Sequence, residues 1–125
     1  MAGVDPDALV ERLRSLCLAL PEVTEKVSHG SPSWFVRRMF VSWVGRHHGD
    51  EHLALWAAAP EGAQAEMVAA EPARFFVPPY VGHRGWLGMR LDVDPAGPDW
   101  DEVGEVVADA YRHVAPRRLA ARLDA

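Results

Sequence analysis

The runs of this sequence that read as strands stand close together, and that spacing restricts the fold more than any other feature. Ser33 to Val36 and Met39 to Val44 are rich in β-branched and aromatic residues, with Arg37-Arg38 between them. His52 to Ala57 follows after the turn-forming stretch Gly45 to Asp50. Parallel neighbours need a crossover of about a dozen residues or more, whereas antiparallel neighbours need only a turn. A hairpin over 33–44, continued by a third strand, is therefore expected. Alternation puts Phe40, Ser42 and Val44 on one face and Met39, Val41 and Trp43 on the other. Both faces carry apolar groups, so one is expected to take a helix and the other a loop or a ligand. In the third strand, Leu53, Leu55 and Ala57 alternate against Ala54 and Trp56.

Helical periods bracket these strands. Asp5 can cap a helix that has Pro6 in its first turn. Leu9, Leu13, Leu16, Cys17 and Leu20 then share one face, and Pro21 ends the element. Near the other end, Asp99 and Glu102 have capping-box spacing. Val103, Val107, Ala110 and Val114 form the stripe of a long last helix that Pro116 should break, with Leu119 and Leu123 continuing in a short turn. A shallowly anchored helix from Pro60 to about Glu71 carries Met67 and Val68. Glu22 to Pro32 shows no period and reads as a loop. The resulting order, helix and strands in alternation with short connections, gives an α+β domain in which N- and C-terminal helices pack an antiparallel sheet. A chain of 125 residues suffices for one such domain and one core, so residues 1–125 are expected to form a single unit.

Between the short helix and the last one lies Arg74 to Asp92, RFFVPPYVGHRGWLGMRLD. Extended residues Phe75 to Val77 and Trp86 to Leu91 flank a Pro78-Pro79-Tyr80 turn. The prolines fix their own φ and hold Tyr80 at a corner, while Gly82, Gly85 and Gly88 let the backbone return. No acid occurs from Pro72 through Leu91, and none from Val27 to Gly49, although Arg37, Arg38, Arg46, Arg74, Arg84 and Arg90 fall there among aromatics. The net charge of -5 argues against bulk affinity for nucleic acid but leaves room for one basic face. Arginine beside aromatics suits phosphate contact with base stacking. The competing structural reading has the aromatics in the core and the arginine stems covering them.

The remaining chemical signals are weak. Cys17 is the only cysteine, which excludes an intramolecular disulfide and a multi-thiolate zinc site, and its place on a helical stripe predicts a buried, inert thiol. His47, His48 and His52 match no strong ligand spacing and read as a solvated turn, so neither a metal nor any other cofactor is expected. His29 lies in a Ser-His-Gly-Ser loop without an orienting carboxylate and is not assigned as a base. Gly82 to Gly88 precedes a strand rather than opening a helix, which makes it a poor phosphate cradle. Glu102, Glu105 and Asp109 read as a solvated helix face. No leader or membrane-span pattern occurs, and the default expectation is a cytoplasmic protein that is a monomer or weak dimer.

Several of these stretches together resemble the MmcQ/YjbR-like family of small bacterial proteins. They are Leu20-Pro21-Glu22-Val23-Thr24-Glu25, Arg74-Phe75-Phe76-Val77-Pro78-Pro79-Tyr80, Gly85-Trp86, Asp109-Ala110-Tyr111 and Ala115-Pro116. The resemblance implies a compact α+β fold with paired wing-like elements and carries a DNA-binding label, with no catalytic residues to transfer. Many members have Ser-Tyr where Ala110-Tyr111 stands here. Two functions follow as expectations, with an enzyme as the third reading. One is a nucleic-acid-binding module using Arg37, Arg38, Arg84 and Arg90 on phosphates and Tyr80 or Trp86 for stacking. The other is a non-catalytic module binding a protein or a small anionic or aromatic ligand, its pocket walled by Tyr80, His83, Trp86 and Trp34.

Overall fold

A computed structural model of the chain describes residues 5–45, 52–93 and 97–124. Helix α1 spans Pro6–Leu18 and buries Leu9, Leu13 and Cys17. Asp5 caps it by accepting the Asp7 amide at 3.0 Å. The helix stops at Leu18 and Leu20 lies in the following turn, where its amide returns to Cys17 O at 3.2 Å. Burial pushes the Cys17 thiol pKa far above its ordinary value, as an inert apolar site requires.

Strand β1 (Thr24–Ser28) occupies the stretch that reads as a loop in the sequence. It pairs antiparallel with β2 (Ser31–Val36) through the two-residue turn His29-Gly30. Both turn residues have positive φ, 51° and 81°, which is the requirement of the tight hairpin whose twist matches that of the strands. β1 is an edge strand with Val27 74% exposed, so it has no apolar alternation to betray it.

β3 (Arg38–Val44), β4 (Ala54–Ala57), β5 (Phe75–Phe76) and β6 (Leu87–Arg90) complete a six-stranded antiparallel sheet in the order β1-β2-β3-β4-β6-β5. Between β2 and β3 the register jumps: Trp34 faces Val41 but Phe35 faces Met39. Phe40 is therefore an extra, bulged residue. This corrects the simple alternation. Phe40 turns to the helix side, where its ring meets Tyr111 edge-on at 5.7 Å, while Met39 lines the opposite face with Ser42.

Helix α3 (Trp100–Val114) buries Val103, Val106, Val107, Ala110 and Tyr111 against the sheet. Asp99 caps it by accepting the Asp101 and Glu102 amides. Glu102 does not reach back as a capping box demands; it bonds the Arg74 guanidinium instead. Past Pro116 a separate helix, α4 (Arg117–Leu123), buries Leu119. The short helix α2 (Ala63–Ala70) has no fully buried residue. The core therefore lies between α1 and α3 on one side and two rows of the sheet on the other. Trp34, Val41, Ala57 and Leu87 form one row, and Trp43, Leu55, Met89 and Phe75 the next. Tyr111 donates its hydroxyl to Pro21 O at 2.7 Å, joining α3 to the α1–β1 connection. No helix among the described residues is long and apolar enough to cross a membrane.

One polar knot ties α1, β1 and β2 together. Glu25 accepts from Arg14 Nε at 2.8 Å and from Trp34 Nε1 at 2.9 Å. The Arg14 bond holds the Glu25 carboxyl below its ordinary value of 4.5; burial opposes it and the Trp34 bond assists. A carboxylate with a lowered folded pKa contributes stability above the ordinary value and loses it as pH falls through the folded value. Glu25→Gln should therefore be less stable than wild type at pH 7, and urea midpoints should converge as pH falls below 4.5. A gap constant across the pH range would show that the charge is not what holds the knot.

Candidate functional site

The sheet face away from α1 and α3 carries the row Ser33, Ser42, Trp56 and Gly88, with Phe76 at its end. Alternation assigns this row to the opposite side from the core rows. A Cβ at Gly88 would overlap the Phe76 ring, so glycine lets that ring lie flat on the sheet. Among the described residues no helix covers the middle of this face. A pocket of about 470 Å³ opens there instead.

Three pieces of chain build the pocket. The β1–β2 hairpin contributes Ser28, His29 and Ser31. The central strands contribute Met39, Ser42, Trp43, Val44 and Trp56. The loop after Pro79 contributes Tyr80, Val81 and Arg84. Behind the lining residues Ser31 and Ser42, the buried Ser33 Oγ donates to Ser31 O at 3.2 Å and meets Ser42 Oγ at 2.9 Å.

The loop is held in an unusual shape. Tyr80 has φ 66° and the Val81 amide returns to Pro79 O at 2.7 Å. That closure around a left-handed central residue has the pattern of the rare, strained γ-turn. A 3₁₀ turn follows at Gly82–Arg84 and ends at Gly85, whose φ of 84° favours a residue without Cβ. From α2, Gln64 Nε2 donates to both Gly82 O at 2.8 Å and Trp86 O at 2.6 Å. One side chain thus clamps both ends of the 3₁₀ turn. The result is Tyr80 standing 76% exposed beside Trp56, ring centroids 6.4 Å apart and planes at 55°. Arg84 lies over the Trp86 ring at 5.6 Å.

Left-handed backbone at a bulky residue costs about 1–2 kcal/mol, and such strain collects at working surfaces. His29 and Tyr80 both have positive φ and both line the pocket. Tyr80→Gly should accordingly fold with an unchanged or higher melting temperature, because relief of strain offsets the entropy of glycine and the loss of a mostly exposed ring. A clear fall in melting temperature would make Tyr80 a packing element rather than a wall of the site.

The expected site residues separate. Tyr80 and Arg84 meet at the pocket. His83 is exposed on the 3₁₀ turn and is not part of the lining. Trp86 is 4% exposed and lies beneath Arg84, and Trp34 is fully buried in the core, so neither indole walls the pocket. Arg90 donates to Ala73 O at 2.6 Å and covers Phe76. Arg37, at φ 68° in the β2–β3 turn, approaches Glu22 at 3.9 Å, and its neighbour Arg38 is exposed. That turn lies at the opposite end of the hairpin from Ser31 and Val44. Arg74 is bonded to Glu71 and Glu102. Acid-free stretches of sequence thus fold next to acids from elsewhere. In the pocket lining itself Arg84 is the charged residue, accompanied by His29, and no carboxylate is present among the described residues.

Sequence reasoning left Met39, Trp43, Trp56 and the Ser28–Ser31 hairpin out of the site. The available signals were the His29-Gly30 pair, suited to a tight hairpin turn, and Trp56, out of phase with Leu53, Leu55 and Ala57. His47 and His48 lie outside the described residues. His52 Nδ1 rests 3.3 Å from Asp92, and no group of three His, Cys, Asp or Glu able to hold a metal occurs among the described residues.

A family model described as YjbR matches residues 18–113. The fold is similar to that of Deinococcus radiodurans protein DR2400, a crystal structure described under the domain family DUF419. The TM-score is 0.69 at 18% identity, over 92% of this chain and 87% of that one. Comparison with curated proteins finds no match.

Proposed function

The chain belongs to the YjbR family, and on that premise we propose that it is a small-molecule-binding module whose site is the pocket on the open face of the sheet. The observation that carries this reading is the lining: aromatic and apolar walls, a few hydroxyls, His29, Arg84 and, among the described residues, no carboxylate. Its volume of about 470 Å³ suits a small ligand, since such sites commonly measure about 300–1,000 Å³. The Gln64 clamp supports the reading further, because a preformed wall spares the ligand the entropic cost of ordering the loop.

A thermal-shift screen of small acids, bases and neutral rings tests it. Met39 lies in the lining, and the larger indole of Met39→Trp would intrude into the space a ligand needs. Compounds that raise the melting temperature of the wild type should fail to do so with this variant. Compounds that stabilise both proteins alike would move the site elsewhere.

One observation favours a second reading, nucleic-acid binding. The exposed Tyr80 ring stands with Arg84 on the same rim, fit to stack an unpaired base and meet a phosphate. It ranks second because Arg37, Arg74 and Arg90 are already engaged by Glu22, by Glu71 and Glu102, and by backbone carbonyls. Anisotropy titrations of a single-stranded oligonucleotide over a salt series decide it. Binding whose salt slope shrinks by about 0.7 in Arg84→Ala would favour it; absence of binding at low salt would remove it.

A further inference from the structure

The geometry points to one chemical class of ligand for this pocket: a planar aromatic anion that carries a hydrogen-bond donor on its ring. This rests on the pocket reading above and narrows it.

The anionic part follows from Arg84. Its guanidinium lies over the Trp86 ring at 5.6 Å and lines the pocket, where no carboxylate answers it among the described residues. A guanidinium held over an indole face still has N–H donors to offer an anion. Those donors match the two oxygens of a carboxylate or the face of a phosphate.

The aromatic part follows from Trp56 and Tyr80. Their centroids are 6.4 Å apart with planes tilted by 55°, so they already touch and form a wedge rather than a slot. A third ring cannot slide between them. It can lie against the face of one and meet the edge of the other, the arrangements aromatic groups prefer.

The donor follows from counting hydroxyl hydrogens. Ser33 Oγ donates to Ser31 O at 3.2 Å, which uses its only hydrogen. The 2.9 Å bond between Ser33 and Ser42 must then be donated by Ser42. Ser42 thus presents lone pairs, not a hydrogen, to the pocket it lines. A ligand that seats on this floor needs an N–H or O–H there, as on an indole- or purine-type ring.

Four matched probes test the assignment on the full chain by calorimetric titration. Indole-3-acetate has the ring, the anion and the ring N–H. 1-Naphthylacetate lacks the N–H, cyclohexylacetate lacks both the N–H and the aromatic ring, and tryptamine replaces the anion by a cation. Indole-3-acetate should bind tightest, with tryptamine and cyclohexylacetate weaker by about tenfold or more and 1-naphthylacetate weaker by about threefold or more. Arg84→Gln, an exposed position on the 3₁₀ turn, should erase the preference for indole-3-acetate over tryptamine while the protein stays folded. Tryptamine or cyclohexylacetate binding within about twofold of indole-3-acetate, or no binding by either aromatic acid, would overturn the assignment. The broader pocket reading is decided separately, by whether Met39→Trp abolishes the stabilisation that screening compounds give.

Discussion

Trp34→Ala should lose about 3–5 kcal/mol of folding stability. The indole is fully buried in the middle of β2, in the row it forms with Val41, Ala57 and Leu87. Its removal leaves a large cavity between strands that α1 and α3 hold in place, so collapse cannot fill it. It also takes one donor from Glu25, leaving Arg14 to hold the carboxylate. Trp34→Phe separates the two contributions, since it keeps most of the volume and loses the bond to Glu25. The alanine variant should unfold at a much lower urea concentration, with the phenylalanine variant between it and wild type. An alanine variant within about 1 kcal/mol of wild type would place Trp34 outside the core.

Leu13→Ala should cost about 2–5 kcal/mol. Leu13 is fully exposed to the core and not to solvent, at 0% accessibility, on the stripe between Leu9 and Cys17. α3 lies against α1, and its own stripe includes Val107, 2% exposed. Val107→Ala removes less volume and should cost less. Urea midpoints unchanged in both variants would show that the two stripes do not face each other.

These two helices were legible because burial on a single face repeats with the helical period. Leu9, Leu13 and Cys17, and likewise Val103, Val107 and Ala110, carry that signal in plain order. β1 was not legible because an edge strand wet on both sides needs no alternation; its strand character comes from pairing with β2. The bulge at Phe40 was hidden for a related reason. It is a property of the register between two strands, and neither strand announces it alone.

The site shows the same division. Pro78-Pro79-Tyr80 and the glycines around Arg84 marked a rigid exposed corner, and Tyr80 and Arg84 do line the pocket. Its other walls come from the hairpin at 28–31 and from Met39, Trp43 and Trp56, which only the sheet brings together. Charge misled in a specific way. Arg37 and Arg74 sit in acid-free stretches, yet the fold gives them Glu22 and Glu102. A window of sequence reports the charge of a segment, while a ligand meets the charge of a surface.

Protein-detected NMR tests the central claim most directly. A compound that stabilises the protein in the thermal screen is titrated into the isotope-labelled chain. Amide shifts should be confined to the pocket segments, residues 28–31, 39–44, 56 and 80–84, and should vanish in Met39→Trp. Shifts gathered at the Arg37-Arg38 turn or along the Glu102–Asp109 face of α3, with the pocket amides unmoved, would contradict the account.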